Sequence, residues 1–162
     1  MKDLGTFSYF LRLEVTSSSN GYYLSQAKYA FDLLPKADIT NKKTVSTPLE
    51  YNAKLKPLDG EPLSDATHYR QLVGSLIYLT ITHSDISHAV DMVSKFMDAP
   101  HSIHYDAVLR ILQYDKGTLY QGLHYSSQSS LKLFSISSID QPADILYKTY
   151  LPGHLWGLIS KL

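Results

Sequence analysis

Between residues 65 and 116 the apolar side chains recur at helical spacing three times, and each run ends at a stop signal of its own. Leu72, Leu76 and Leu79 fall at i, i+4 and i+7, one face of a helix predicted over about residues 65–81 with Ser64 as its N-cap. A second stripe of Ile86, Ala89, Val90, Val93 and Met97 begins after Ser84 and stops before Pro100. The third, Ala107, Val108, Ile111 and Leu112, starts near Ser102 and ends before Gly117. Asp115 interrupts it, four positions after Ile111. Stripes of this kind need a partner to cover them, so the three helices are expected to pack together as the most stable part of the chain.

The flanking segments read differently. Residues 6–15 are rich in β-branched and aromatic types, Ser17 to Asn20-Gly21 is a turn signal, and Tyr22-Tyr23-Leu24 resumes the apolar run, which predicts a β-hairpin. Ser25 is the expected N-cap of a helix carrying Tyr29, Ala30, Leu33 and Leu34, closed by Pro35. Residues 40–64 hold Pro48, Pro57, Pro62 and Gly60 with few large apolar groups. A loop of that length is unusual in a compact domain, and it suggests packing against something that is absent. Residues 121–125 and 131–134, around a serine-rich turn, read as a second hairpin. The tail gives a short helix from Asp140 and a weaker one after Pro152. The fold class is α+β.

Net charge is zero over 162 residues, but it is unevenly spread. Residues 1–56 carry eight Lys/Arg and five Asp/Glu, residues 57–100 two and six, and residues 101–162 five and four. No strongly basic segment emerges, so any nucleic-acid binding by the chain alone is expected to be weak. The absence of cysteine excludes disulfides, zinc ribbons and a thiol nucleophile. No signal-peptide pattern follows Lys2-Asp3, and no apolar run approaches membrane-span length, so an intracellular location, cytoplasm or nucleus, is expected and no membrane partner.

Little in the sequence suggests chemistry. Asp3, Glu14 and Asp32 are scattered, whereas two-metal catalysis needs carboxylates clustered around ions about 3.5–4 Å apart. Asp140 and Asp144 at i, i+4 are better explained as a cap and a surface charge. His101 with His104, and His83 with His88, have only Asp106 and Asp85 nearby, too few ligands for a folded zinc site. No catalytic residue, metal site or cofactor is therefore assigned. One pattern stands apart. Arg70, Gly74 and Tyr78 fall at i, i+4 and i+8 beside the leucine stripe of the first long helix. A helix-interior glycine costs about 1 kcal/mol against alanine. Either a second helix packs closely on Gly74, or a ligand approaches there. A nucleic-acid groove would use glycine to admit the sugar edge, tyrosine to lie against it and arginine to reach phosphate.

The stretch from Tyr69 to Leu79 resembles the first thumb helix of reverse transcriptases, and the resemblance extends over more than four-fifths of the chain. Met1 to Gly5, Tyr9 to Val15, Tyr22 to Gln26, Thr47-Pro48-Leu49, Asp85-Ile86 with Ala89-Val90, Val93 to Met97, Ala107-Val108 with Arg110-Ile111-Leu112, and Lys116-Gly117-Thr118 keep the order and approximate spacing of the end of the polymerase region in copia-type retrotransposon Pol polyproteins. Residues 140–146, Lys148, Leu151-Pro152 and Ser160-Lys161-Leu162 resemble the extreme C-terminus of the same polyprotein. Leu131 to Phe134 resembles the first strand of the RNase H domain that separates the two parts, with Ser135 to Ser138 where its acidic residues should follow.

The resemblance implies an organisation. Residues 1–39 would be a palm-end hairpin and helix, 40–64 a Pro-rich linker, 65–118 a helical thumb, 119–134 a remnant of the first RNase H strands and 135–162 a tail remnant, spliced across a deleted RNase H domain. The polymerase carboxylates would lie upstream in a Tyr-x-Asp-Asp turn, so the expected activity is that of a non-catalytic fragment of an RNA-directed DNA polymerase, whose parent would use Mg²⁺. The hairpin Phe10 to Val15 would grip the primer end through Leu11 and Arg12, where the family usually has glycine in place of Arg12. Arg70, Gly74 and Tyr78 would track the minor groove. The expected partner is an RNA–DNA or DNA duplex, weakly held, and the alternative is a helical interaction module that associates with intact Pol or Gag chains. His83-Ser84 stands where Arg-Pro is expected, and Gln113 and Asp115 where Arg and Leu are expected.

Overall fold

The computed structural model describes residues 7–127. The chain opens with three short strands, β1 (Phe7–Phe10), β2 (Leu13–Ser18) and β3 (Gly21–Ser25), followed by helix α1 (Ala27–Leu33). A long strap leads to α2 (Ala66–Leu79), a single 3-10 turn at Ser84–Ile86, α3 (Ser87–Ser94) and α4 (Ser102–Thr118). Strand β4 (Gly122–Ser126) closes the described part. The four strands form one antiparallel sheet in the order β1-β2-β3-β4, which with the helices gives an α+β fold.

The sheet differs from the expected pair of hairpins. The apolar run over residues 6–15 is interrupted by a turn at Leu11-Arg12, so Phe10 faces Leu13 across a two-residue loop and β2 is shared between two hairpins. Strand β4 pairs with β3, placing Tyr125 opposite Tyr22 and Leu123 opposite Leu24. The partner expected for it, residues 131–134, lies outside the described residues, as do the tail helices from Asp140 and after Pro152, Asp144, and the junction attributed to a deleted domain. Gly21, at φ 134°, lets the backbones of β3 and β4 meet, since a Cβ there would run into the carbonyl of Tyr125.

The core lies among the helices, as the three stripes require. Leu72, Leu76 and Leu79 of α2 meet Val90 and Val93 of α3, Val108, Ile111 and Leu112 of α4, and Ala30 and Leu33 of α1 in one buried cluster. Tyr69 adds a polar tie across it: its buried hydroxyl donates to the carbonyl of Val93 at 2.7 Å. Helix ends shift from the expected positions in small, explicable ways. Asp65, not Ser64, caps α2, accepting from the amide of His68 at 2.9 Å. Ser25 accepts from the Ala27 amide at 3.1 Å, but Gln26 is the boundary residue of α1. α4 runs through Gly117 to Thr118. The second stripe divides between the 3-10 turn and α3, which ends at Ser94, short of the expected Met97.

The strap is a correction. It does not lack a partner, because residues 40–63 wrap over α4. Leu49, Leu55 and Leu63 pack on the core. Lys116 donates to the carbonyls of Thr40 and Lys42 at 2.6 and 2.8 Å, and Arg110 reaches Thr47 and Glu50. At the start of α4, His104 Nδ1 accepts from the His101 amide at 2.9 Å, so its Nε2 carries the proton and donates to the Lys56 carbonyl at 2.9 Å. The ring of His104 stacks on Phe96 with centroids 3.8 Å apart. His101 Nδ1 faces the carbonyl of Gly60 at 2.9 Å. The two histidines therefore fasten the strap and cap the helix. Both ring nitrogens of His104 are occupied, which leaves it no lone pair for a metal.

Candidate functional site

The turn between β1 and β2 places Leu11 at φ 49° and Arg12 at φ 62°. Left-handed geometry at both central residues defines the tight hairpin turn whose twist suits antiparallel strands, and its second position favours glycine. That accounts for the glycine expected at position 12: the requirement is a backbone angle rather than room for a ligand. Arginine there carries a strain of about 1–2 kcal/mol. Part of this is offset by seating its guanidinium over the ring of Tyr29, 5.0 Å from the centroid.

The turn rests on α2. The hydroxyl of Tyr78 donates to the carbonyl of Leu11. Tyr78 also meets Tyr29 edge to face with centroids 5.3 Å apart, and Tyr29 donates to the carbonyl of Ser75 at 3.3 Å. Burial, and then the neighbouring Tyr29, holds the Tyr78 phenol above its ordinary range, so it remains a donor at neutral pH. Hairpin and helix thus form the two walls of one open groove of about 780 Å³.

Leu11, Arg12, Arg70, Gly74 and Tyr78, which sequence reasoning put forward from two separate segments, all line this groove. Gly74 is open: a Cβ added there would meet nothing within 4 Å, so close packing of a second helix does not explain it. Arg70 is exposed, but it is not a free arm. Its Nε donates to the Met97 carbonyl at 2.7 Å and one terminal nitrogen to Asp98 at 3.3 Å, which ties α2 to the segment after α3. The remaining N–H groups of a guanidinium are still available to a ligand.

Sequence reasoning missed Tyr29, Lys36, His68, Gln71, Leu72 and Ser75, which complete the lining. His68, Gln71 and Ser75 could have been found, since i, i+3 and i+7 continue the same helix face. Lys36 had no local signal. The lining holds Arg12, Lys36 and Arg70 and no Asp or Glu. The excess of acid counted along residues 57–100 therefore does not describe this surface, because Asp85, Asp91 and Asp98 do not line it. Among the described residues no group of three His, Cys, Asp or Glu is placed to hold a metal ion. Among the same residues, no helix is long and apolar enough to cross a membrane.

Comparison with known proteins agrees with the sequence resemblance. The chain is 39% identical over 144 residues to the retrovirus-related Pol polyprotein from transposon RE1 of Arabidopsis thaliana, a match covering 89% of this chain and 10% of that protein. It is 33% identical over 165 residues to the Pol polyprotein from transposon TNT 1-94 of Nicotiana tabacum, covering 96% of this chain and 12% of the relative. An uncharacterized mitochondrial protein of Arabidopsis thaliana is 36% identical over 140 residues, covering 86% of this chain and 58% of its own length. The chain thus spans about a tenth of the polyproteins and somewhat over half of the mitochondrial protein. No protein-family model and no solved structure matches it.

Proposed function

On its homology with retrovirus-related Pol polyproteins of copia-type transposons, we propose that this chain is a non-catalytic segment of an RNA-directed DNA polymerase that holds the backbone of an RNA–DNA or DNA duplex weakly along the groove between its hairpin turn and α2. One observation carries the reading. Leu11 and Arg12 of the hairpin turn and Arg70, Gly74 and Tyr78 of α2 line a single open trough, which with Lys36 holds three cations and no carboxylate. A duplex lying there would meet Gly74 at its closest approach. Arg12 and Lys36 would face phosphates, Tyr78 would lie along sugar edges, and Arg70 would offer the N–H groups left over from its two carbonyl bonds. None of these contacts reads a base edge, so the binding would be independent of sequence and sensitive to salt.

The test is a titration of the chain with an RNA–DNA hybrid at several salt concentrations, beside a thermal melt. Gly74→Leu should weaken binding while leaving the melting temperature unchanged or raised. Lys36→Ala should weaken binding about equally for all sequences and reduce the salt slope by about one unit. Full binding by Gly74→Leu would overturn the groove assignment. No nucleotide incorporation is expected on a primed RNA template with Mg²⁺ or Mn²⁺, because the described carboxylates are dispersed. Incorporation by a preparation free of other polymerases would refute the non-catalytic reading.

A second reading, association with intact Pol or Gag chains, is favoured by a different surface. Phe31 and Tyr120 are 57% and 87% exposed beside Tyr23 and Leu119, on a concave face between β2, β3, α1 and the segment that follows α4. Exposed aromatic side chains grouped in this way suit a protein partner. Co-purification with the parental polyprotein that is abolished by Phe31→Ser would support this reading over duplex binding.

A further inference from the structure

His83 and Asp115 lie outside the groove. His83 follows the end of α2 and is 1% exposed, while Asp115 sits in the last turns of α4 and is fully buried. Nε2 of the histidine is 3.7 Å from Oδ1 of the aspartate, and neither carboxylate oxygen has a hydrogen-bond partner. A buried carboxylate without a donor must be neutralised by a charge or by a proton.

The surroundings determine how. Gln26 is buried, and its amide nitrogen donates to the Tyr78 carbonyl at 3.4 Å. Its Oε1 therefore faces Thr82, whose hydroxyl donates to it at 2.9 Å. With that hydrogen engaged, Thr82 Oγ1 can only accept from His83 Nδ1, 3.0 Å away. His83 thus carries its first proton on Nδ1. Nε2 then faces two acceptors, Asp115 Oδ1 and the carbonyl of Thr118 at 3.4 Å. Three lone-pair positions converge with no hydrogen among them, and one more proton completes the site.

We propose that His83 and Asp115 share a single buried proton, forming a latch that joins the corner after α2 to the end of α4 and, through Thr82 and Gln26, to the start of α1. With the proton on nitrogen the pair is imidazolium and carboxylate; with it on oxygen, imidazole and carboxylic acid. Both arrangements are neutral overall, which is what burial demands. Losing the proton leaves an unbalanced buried anion, and gaining a second leaves an unbalanced buried cation. The other ionisable groups acting on the pair are Asp85, in the 3-10 turn, and Tyr114 on α4, which donates to Asp85 at 2.7 Å. The negative charge of Asp85 favours retention of the proton.

Burial, with Asp85 adding to it, pushes the Asp115 carboxyl up to about 7, while burial pulls His83 below its ordinary value of 6.5. Each shift has its own sign in stability. A raised carboxyl contributes stability that is full below the ordinary value of 3.8 and is lost as pH rises from there to about 7. A lowered imidazole contributes stability above its ordinary value that is lost as pH falls. In the intact chain the two oppose each other between the lowered histidine value and 6.5, and what remains is a loss of stability as pH rises from 6.5 to about 7, above which neither state holds the proton.

The test is urea unfolding of the full chain from acid to mildly alkaline pH. The parent should be nearly level up to the ordinary histidine value of 6.5, weaken from there to about 7 and stay level above it. Asp115→Asn should reverse the slope, gaining stability up to the ordinary histidine value and staying level above it. His83→Asn should lose stability steadily across the acid side, its unfolding constant rising by about tenfold or more by neutral pH. The double variant should be level throughout. Parallel profiles for all four would overturn the shared proton. Should the asparagine variants not fold, nitrogen chemical shifts of His83 in the parent decide: protonation at Nδ1 supports the latch, and a neutral ring protonated only at Nε2 sinks it.

Discussion

The helices and the sheet divide the apolar side chains unequally. Leu72, Val73, Leu76 and Leu79 of α2 are all 2% exposed or less, whereas β1 and its turn leave Tyr9, Phe10 and Leu11 between 40% and 57% exposed. Among the described side chains of the sheet, Leu13 and Leu24 are the large apolar ones that are buried. The helical part covers its own stripes, but the sheet turns much of its apolar surface outward. The difference shows where stability and recognition reside: the first region holds the fold, and the second, with the face of α2 that it leans on, supplies a surface that the fold does not consume.

The largest effect should come from breaking the covered side. Leu76→Ala leaves a cavity in the fully buried cluster and should cost about 2–5 kcal/mol in urea unfolding. Phe10→Ala, although it removes a larger side chain, should cost about 0.5 kcal/mol or less. Equal losses would abolish the contrast. A smaller effect tests the polar tie within the core. Tyr69→Phe removes the donor to Val93, whose carbonyl keeps its backbone bond from the Phe96 amide, for a loss of about 1 kcal/mol.

At the border between the regions the expected sign changes. Gly74→Ala meets no neighbour, so it should stabilise the chain by up to about 1 kcal/mol in a thermal melt. A loss of stability would mean that something packs on that glycine after all. The smallest effect is expected at the turn. Arg12→Gly relieves left-handed strain but gives up the contact with Tyr29 and adds freedom to the unfolded chain, so a net gain of under about 1 kcal/mol is expected from paired melts.

The histidines and Asp115 show how far local reading reaches. His101 and His104 drew attention by their spacing, yet their partners are carbonyls of Gly60 and Lys56 on a strap that sequence had left without a surface. Asp115 was legible as an interruption of a buried stripe, but not its neighbour His83, which is 32 positions away and belongs to another element. Tyr78 was legible as part of an exposed stripe. That its hydroxyl would hold the carbonyl of Leu11, 67 residues earlier, was not.

By itself the sequence determined the helices, their inward faces and the turn signal from Ser17 to Asn20-Gly21, because these depend on spacings of a few residues that any window of chain reveals. The shared ancestry with transposon polyproteins was also written there, since ordered identities survive without reference to shape. Only the tertiary structure decided that β4 joins the first sheet beside β3, that the strap closes over α4, and that the hairpin turn and α2 enclose one groove. Such contacts join residues tens of positions apart, and which buried polar group meets which depends on how helices lie against one another. Helical periodicity fixes the face a residue occupies, and packing alone fixes what stands opposite it.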